Sequence, residues 1–152
     1  MSKIQQKRGA DGEAALTASL KDSGLWSYKL PNIGYGTPFD RVIVTAGHAI
    51  EVKVTKNGRV PYSKISENER KGLTRFQYLV GDEKTVAWIL GIWKNKGKEL
   101  AFMVPWYQVA EDVCSGKRGS VDLVKCGKML SKRMRGGGWD VAGFLRGVRA
   151  DG

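Results

Sequence analysis

The spacing of apolar residues changes along the first part of the chain from a helical to a strand pattern. Residues 10–22 are rich in alanine and leucine and contain no proline, which favours a helix that ends before Gly24. Residues 25–30 form a short apolar run, and residues 39–46 and 48–55 form two more on either side of a glycine. Apolar runs of this length with a turn residue between them predict strands, the last two as an antiparallel hairpin.

The middle of the chain repeats this change of pattern. Residues 66–69, Ser-Glu-Asn-Glu, form a capping box and predict a helix that continues to about residue 80. Residues 85–93 and 99–104 are apolar runs that predict a second hairpin, and Pro105 suits the first turn of a helix. The order helix, three strands, helix, two strands, helix predicts an α/β fold, with a central mixed five-stranded sheet flanked by helices.

Positive charge is concentrated towards the end of the chain. The net charge is +11, and residues 116–152 hold 9 of the 26 basic side chains but only 3 of the 15 acidic ones. We therefore divide the chain into a domain at residues 1–115 and a basic, glycine-rich C-terminal extension at residues 116–152. The extension either lies along a phosphate backbone or is a solubilising tail with a short helix near its end.

Composition excludes several classes of protein. No apolar run approaches the ~20 residues of a membrane-spanning helix, and the polar start does not suit a signal peptide. Two cysteines cannot build a disulfide framework, so we expect a cytoplasmic protein, in the host cytoplasm if it is virus-encoded. The single histidine, His48, excludes histidine-rich metal sites and lies near a hairpin turn, where we expect it on the surface. The basic surplus favours a nucleic-acid partner.

The second predicted hairpin strand carries acidic and basic residues on one face. In a strand, Ile50, Val52 and Val54 point to one side of the sheet, while Glu51 and Lys53 point to the other. Asp40 begins the preceding strand, so its carboxylate can approach that of Glu51 across the hairpin. Two converging carboxylates repel each other unless a cation lies between them.

A divalent metal ion suits this arrangement. Magnesium is bound by a few carboxylates and keeps water and phosphate oxygens in its shell, and Glu13 on the first helix could complete the cluster with Asp40 and Glu51. Lys53 would then stand beside the attacking water and the scissile phosphate. The alternative is an exposed strand face in which these side chains only form ion pairs.

The layout resembles the PD-(D/E)xK nuclease superfamily, and within it the archaeal-type Holliday junction resolvases, with a more distant similarity to bacterial RecU resolvases. The matching segments are Lys7-Arg8-Gly9 followed by Glu13, then Pro38 with Asp40, then the run Glu-Val-Lys-Val-Thr-Lys at residues 51–56. The similarity covers roughly residues 7–105. It implies a restriction-endonuclease-like core.

The resemblance also implies a role for each matching residue. Glu13, Asp40 and Glu51 become metal ligands together with the backbone carbonyl of Val52, and Lys53 becomes the catalytic lysine. The resemblance places Lys7, Arg8, Thr37 and Lys56 among the DNA-binding residues. We add Lys64 and Arg70, near the second helix, as candidates for the DNA path, although they could equally form a solvated face.

Two departures from the family pattern stand out. Phe39 separates Pro38 from Asp40, so the usual Pro-Asp pair is interrupted. Glu69 falls where RecU-like relatives favour glutamine, and we assign it no role.

The resemblance implies a magnesium-dependent endodeoxyribonuclease, with one or two ions per active site and manganese as a substitute. Its implied substrate is a four-way (Holliday) DNA junction, cut symmetrically by a homodimer to leave 5′-phosphate ends. We expect no membrane partner and no small-molecule cofactor. The alternatives are another nicking, repair or restriction-type endonuclease with the same core, and a non-catalytic basic DNA-binding protein.

Overall fold

A computed structural model describes residues 3–20, 27–30, 40–43, 48–79, 87–133 and 138–150. The described helices are α1 (Lys3–Leu20), α2 (Glu67–Leu79), α3 (Trp106–Cys114), α4 (Leu123–Cys126) and α5 (Val141–Ala150). The described strands are β1 (Ser27–Lys29), β2 (Arg41–Ile43), β3 (His48–Thr55), β4 (Arg59–Pro61), β5 (Ala87–Asn95), β6 (Lys98–Pro105), β7 (Ser120–Asp122) and β8 (Lys128–Met129). A short 3₁₀ turn, Tyr62–Lys64, follows β4.

The main sheet is mixed, as the order of elements predicts. Its strands lie in the order β1-β2-β3-β5-β6-β8, and only the central pair β3 and β5 is parallel. The expectation of five strands is wrong, because the two-residue strand β8 adds a sixth at the β6 edge. Strands β4 and β7 form a separate two-stranded sheet. Strands of two or three residues are too short to leave an alternating pattern in the sequence.

Apolar side chains cover both faces of the main sheet. On one face, Ala49 and Ile89 pack with residues of α2, α3 and α4, including Leu73 and Trp106. The opposite face carries Ile50, Val52, Leu90 and Ile92, which pack with residues of α1 and α5, Leu16 and Leu145 among them. Side chains of a strand alternate between faces, so the two faces of β3 and β5 have different helical partners. The predicted flanking helices are confirmed.

The C-terminal part of the chain packs into both of these clusters. Leu123 is fully buried against α3 and the sheet, and Leu130 and Leu145 are buried on the α1 face. Trp139 is 5% exposed, and its backbone N–H donates to Ser19 Oγ on α1. The described residues after 115 therefore contribute to the same core as the residues before it. None of the described helices is long and apolar enough to cross a membrane.

Helix α1 begins at Lys3, several residues earlier than the sequence pattern indicates. It lies close to β3 at Gly12, where an added Cβ would stand 2.7 Å from Val54 Cγ2 and 3.0 Å from Val52 Cγ1. A glycine here lets the helix backbone approach the strand, and the approach places the start of α1 beside the end of β3.

His48 is buried, with 3% of its surface exposed, so the expectation of a surface side chain is wrong. It stands at the first position of β3, opposite Ile43, and Trp88 on the neighbouring strand covers it. The indole Nε1 of Trp88 donates to His48 Nδ1 at 3.0 Å. Pairing with β5 encloses the histidine, and this pairing is not visible in the local sequence.

Candidate active site

Asp40 is held at the junction of β2 and β3. Its backbone N–H donates to the carbonyl of Ile50 at 3.1 Å, and its Oδ2 accepts the backbone N–H of Val52 at 2.6 Å. The register that pairs Arg41 with Ile50 places Asp40 across from Glu51. A single local interaction thus fixes the direction of the carboxylate.

Glu51 lies in the middle of β3, between β2 and the buried strand β5, and only 3% of its surface is exposed. Its Oε1 lies 3.3 Å from Lys53 Nζ. Its Oε2 is buried and receives no hydrogen bond from any residue that the structure describes. Burial raises the pKa of Glu51 well above its usual value, and the nearby acidic groups of Glu69 and Asp40 raise it further.

The carboxyl of Asp40 is also difficult to ionise. Burial raises its pKa from 3.8 to about 6, and the neighbouring carboxyl of Glu13 contributes to the increase. The hydrogen bond from the Val52 amide opposes the shift without cancelling it. Two adjacent acids of raised pKa form a site that gains from a cation.

Lys53 is two residues after Glu51 and points to the same side of the sheet. Its Nζ lies 2.9 Å from Glu69 Oε1 and 3.1 Å from Glu69 Oε2, in addition to its contact with Glu51. Burial lowers the pKa of Lys53, but the negative charges of Glu51 and Glu69 outweigh this effect and raise the pKa above its usual value. The ammonium group is therefore held between two carboxylates and remains charged.

Glu69 belongs to the site although sequence reasoning gave it no role. The predicted capping box is present: Glu69 Oε1 accepts the Ser66 N–H at 2.8 Å, and the Glu69 N–H donates to Ser66 Oγ at 3.2 Å. Burial raises the pKa of Glu69, but hydrogen bonds with Glu51 and Lys53 leave it below its usual value. The capping box fixes the carboxylate at the start of α2, and this was the signal in the sequence that could have pointed to it.

Glu13 lies at the rim of the site. Its side chain is 37% exposed, and its Oε2 forms an ion pair at 3.0 Å with Lys29 Nζ on β1. Glu13 and Asp40 line the same small pocket, and the Glu13 carboxyl contributes to the raised pKa of Asp40. Helix α1 thus brings the third predicted acid next to the strand acids, and Lys29 is a neighbour that the sequence did not indicate.

The acids interact as successive pairs, Glu13 with Asp40, Asp40 with Glu51 and Glu51 with Glu69, and we call this series the row. Among the described residues, no group of three or more His, Cys, Asp or Glu side chains is arranged to hold a metal ion. The row nevertheless fits a hard divalent cation, because Glu51 Oε2 is buried, no residue in the described part of the chain donates to it, and carboxylate oxygens are the preferred ligands of magnesium. Asp40 and Glu51 would hold the ion, with Glu13 at the rim, and the backbone carbonyl of Val52 stays a ligand that the resemblance alone implies.

The predicted DNA-binding residues lie in different environments. Lys7, Lys56 and Lys64 are exposed, and Arg8 is half-buried. Arg70 donates from Nε to the Ile65 carbonyl at 2.8 Å and from Nη2 to the Tyr62 carbonyl at 2.6 Å, so its guanidinium holds the turn after β4. Thr37 lies outside the described residues.

A scan against protein-family models finds no match for this chain, and a search of curated proteins also finds none.

Proposed function

We propose that the protein is a metal-dependent endodeoxyribonuclease. The observation that carries the proposal is the group formed by Asp40, Glu51 and Lys53. In this group a buried carboxylate oxygen of Glu51, to which no described residue donates a hydrogen bond, lies beside a charged ammonium group. Ion pairs on an exposed strand face, the alternative interpretation, do not account for the burial of Glu51 or for the raised pKa of both acids.

Each side chain has a distinct part in the proposed reaction. Asp40 and Glu51 would hold a divalent ion at the strand junction, and that ion would supply a water molecule of lowered pKa and positive charge beside the phosphate. Lys53, fixed by Glu69, places a positive charge where negative charge develops on the phosphate oxygens. Glu13 on α1 would add a third carboxylate at the rim of the site.

The four-way junction is the substrate that the resemblance implies, and two sites related by two-fold symmetry in a homodimer would cut it on two strands. The net charge of +11 supports a nucleic-acid substrate of some kind. The preference for a junction over linear duplex depends on the resemblance alone.

The deciding experiment is a cleavage assay on a fixed synthetic four-way junction, with linear duplex of the same sequence and excess competitor DNA. We expect magnesium-dependent nicks that leave 5′-phosphate ends on the junction. Asp40→Asn, Glu51→Gln and Lys53→Ala should each abolish cutting while they leave affinity for the junction within a few-fold. Glu111→Gln, an exposed acid on α3, is the matched control and should cut normally.

Three results would redirect the proposal. Equal cutting of junction and duplex would support another endonuclease with the same core. Binding without any magnesium-dependent product would support the non-catalytic DNA-binding protein. Full activity in Asp40→Asn would remove the assigned site.

A further inference from the structure

A second polar site lies at the far end of β3 from Asp40. It is a cavity of about 260 Å³ between the start of α1 and the hairpin of β5 and β6. We name it the hairpin cavity. Its charged lining consists of Arg8, Asp11, Lys56, Lys94, Lys96 and Glu99.

None of the four cations of this lining, Arg8, Lys56, Lys94 and Lys96, forms an ion pair with an acidic side chain in the described part of the chain. Four positive groups around one cavity repel one another, and two acidic side chains offset only half of that charge. The cavity therefore attracts an anion from outside the chain.

The turn at the end of the hairpin supplies a second, independent observation. Lys96 has φ +49° and Gly97 has φ +80°, so both residues of the two-residue turn adopt the left-handed region. Asparagine, aspartate and glycine adopt this conformation with little strain, whereas a lysine at the first position costs on the order of 1 kcal/mol. The strained residue places a positive charge at the cavity, and strain of this kind is typical of binding sites.

The size of the cavity restricts the ligand. A volume of 260 Å³ is below the range of about 300–1,000 Å³ in which pockets enclose a drug-sized molecule. A phosphate group fits, with the rest of its molecule outside. A row of phosphates on a polymer also matches four cations that come from three separate segments of the chain.

The cavity shares two elements with the candidate active site, because Arg8 lies on the same helix as Glu13 and Lys56 directly follows the strand that carries Glu51. Lys56 follows Glu51 by five residues of extended chain, roughly 16 Å, and Arg8 precedes Glu13 by five helical residues, roughly 7.5 Å. Phosphates of one DNA strand repeat every ~3.4 Å along the helix axis. The cavity would thus meet the backbone about two to five nucleotides from the cut.

We infer that the hairpin cavity binds backbone phosphates of the DNA a few nucleotides from the scissile bond, with Lys94 and Lys96 as binding residues that the sequence did not indicate. This inference rests on the proposed function for the identity of the DNA as substrate. The hairpin thereby fixes the direction in which the strand crosses the site.

The test compares two lysines of the same hairpin. Lys96 lines the cavity, whereas Lys98 is exposed at the start of β6 and does not line it. Affinity of the full chain for a fixed junction is measured over a range of salt concentrations without divalent ion, so that nothing is cut. Lys96→Gln should lower the slope of log K against log[salt] by about 0.9 and weaken binding roughly three- to tenfold. Lys98→Gln should leave both unchanged.

Lys96→Asn separates binding from strain. Asparagine tolerates positive φ and has no charge, so this variant should melt at or above the wild-type temperature while it binds DNA as weakly as Lys96→Gln. Equal slopes for Lys96→Gln and Lys98→Gln would overturn the inference. A cavity that binds small anions only would also overturn the inference. In that case inorganic diphosphate would raise the Tm of the wild type but not of Lys96→Gln, and the salt slope of DNA binding would be the same in both.

Failure of the proposed function would give a different result. One outcome is that the wild type cuts no DNA while the slope of log K against log[salt] falls in Lys96→Gln but not in Lys98→Gln. That result would refute the nuclease and retain the phosphate site. A wild-type protein that cuts, with no change of slope in Lys96→Gln, would refute the phosphate site alone.

Discussion

Replacing Asp40 with asparagine should stabilise the metal-free protein. The carboxyl of Asp40 has a pKa of about 6 in the folded chain, whereas its ordinary value, which applies to the unfolded chain, is 3.8. The pKa thus rises by about 2. At 1.36 kcal/mol per unit this ionisation costs about 3 kcal/mol of folding free energy above pH 6, or about 2 kcal/mol after allowance for solvent screening at a half-buried group. Asparagine keeps an oxygen that accepts the Val52 N–H and removes the charge.

The sign of this effect with pH follows from proton binding. A raised pKa means that the folded state binds the proton more tightly, so the wild type loses stability as pH rises through the window from about 4 to about 6. Asp40→Asn lacks this loss. Its stability advantage should therefore be absent near pH 4, grow through that window and remain constant above it.

The assay is thermal unfolding at pH 7.5, first with EDTA and then with excess magnesium. For a chain of this length, 2 kcal/mol corresponds to an increase in Tm of about 4–8 °C in Asp40→Asn with EDTA. Magnesium at one hundred times its Kd should increase the free energy of unfolding of the wild type by about 2.7 kcal/mol and so raise its Tm. It should have little effect on the Tm of the variant. The exposed Asp112→Asn is the matched control, with an unchanged Tm and a normal response to magnesium.

A lower Tm for Asp40→Asn in EDTA would show that the carboxylate is a structural hydrogen-bond acceptor rather than a strained ligand. Equal magnesium shifts in the wild type and Asp40→Asn would show that the ion binds elsewhere. Either result would refute the reasoning that ties the buried acids to a cation.

Further predictions concern stability. Glu69→Ala should be less stable than Glu69→Gln by about 1 kcal/mol in urea unfolding, because glutamine retains the hydrogen bond to the Ser66 N–H; equal stabilities would show that the cap contributes nothing. Leu123→Ala should cost about 2–5 kcal/mol by the same measurement, since Leu123 is fully buried against Gly91, and a loss under 1 kcal/mol would contradict its place in the core. Removal of residues 116–152 should abolish cooperative unfolding monitored by near-ultraviolet circular dichroism, because Trp139 and Leu145 belong to the core; a cooperative transition in the truncated chain would make this segment dispensable.

The last of these predictions changes how the basic C-terminal segment can be tested for DNA binding. Deleting it would remove buried residues as well as charges, so a loss of affinity would report unfolding. Substituting its exposed lysines with glutamine removes charge and keeps the core. The salt slope of DNA binding then reports the segment's own phosphate contacts.

The local pattern determined most of the secondary structure. Alternation around Glu51 predicted a strand with one apolar face, and the capping box at Ser66 predicted the start of α2 within a residue. These features depend on neighbours in sequence, through the two-residue repeat of a strand and the unpaired N–H groups of a helix start. Strands β4, β7 and β8 have two or three residues each and are defined by their pairing with other strands, so the local sequence did not predict them.

Tertiary structure decided what the side chains of the site do. The sequence placed acids at positions 13, 40 and 51, but the pairing of β3 with β5 buries Glu51, and the seating of α2 brings Glu69 onto Lys53. It also packs the basic C-terminal segment into the core and encloses His48. Burial and the distances between charges depend on residues far apart in the chain. They determine the pKa values of the acids, the burial of Glu51 Oε2 away from any described donor, and the positive charge around the hairpin cavity.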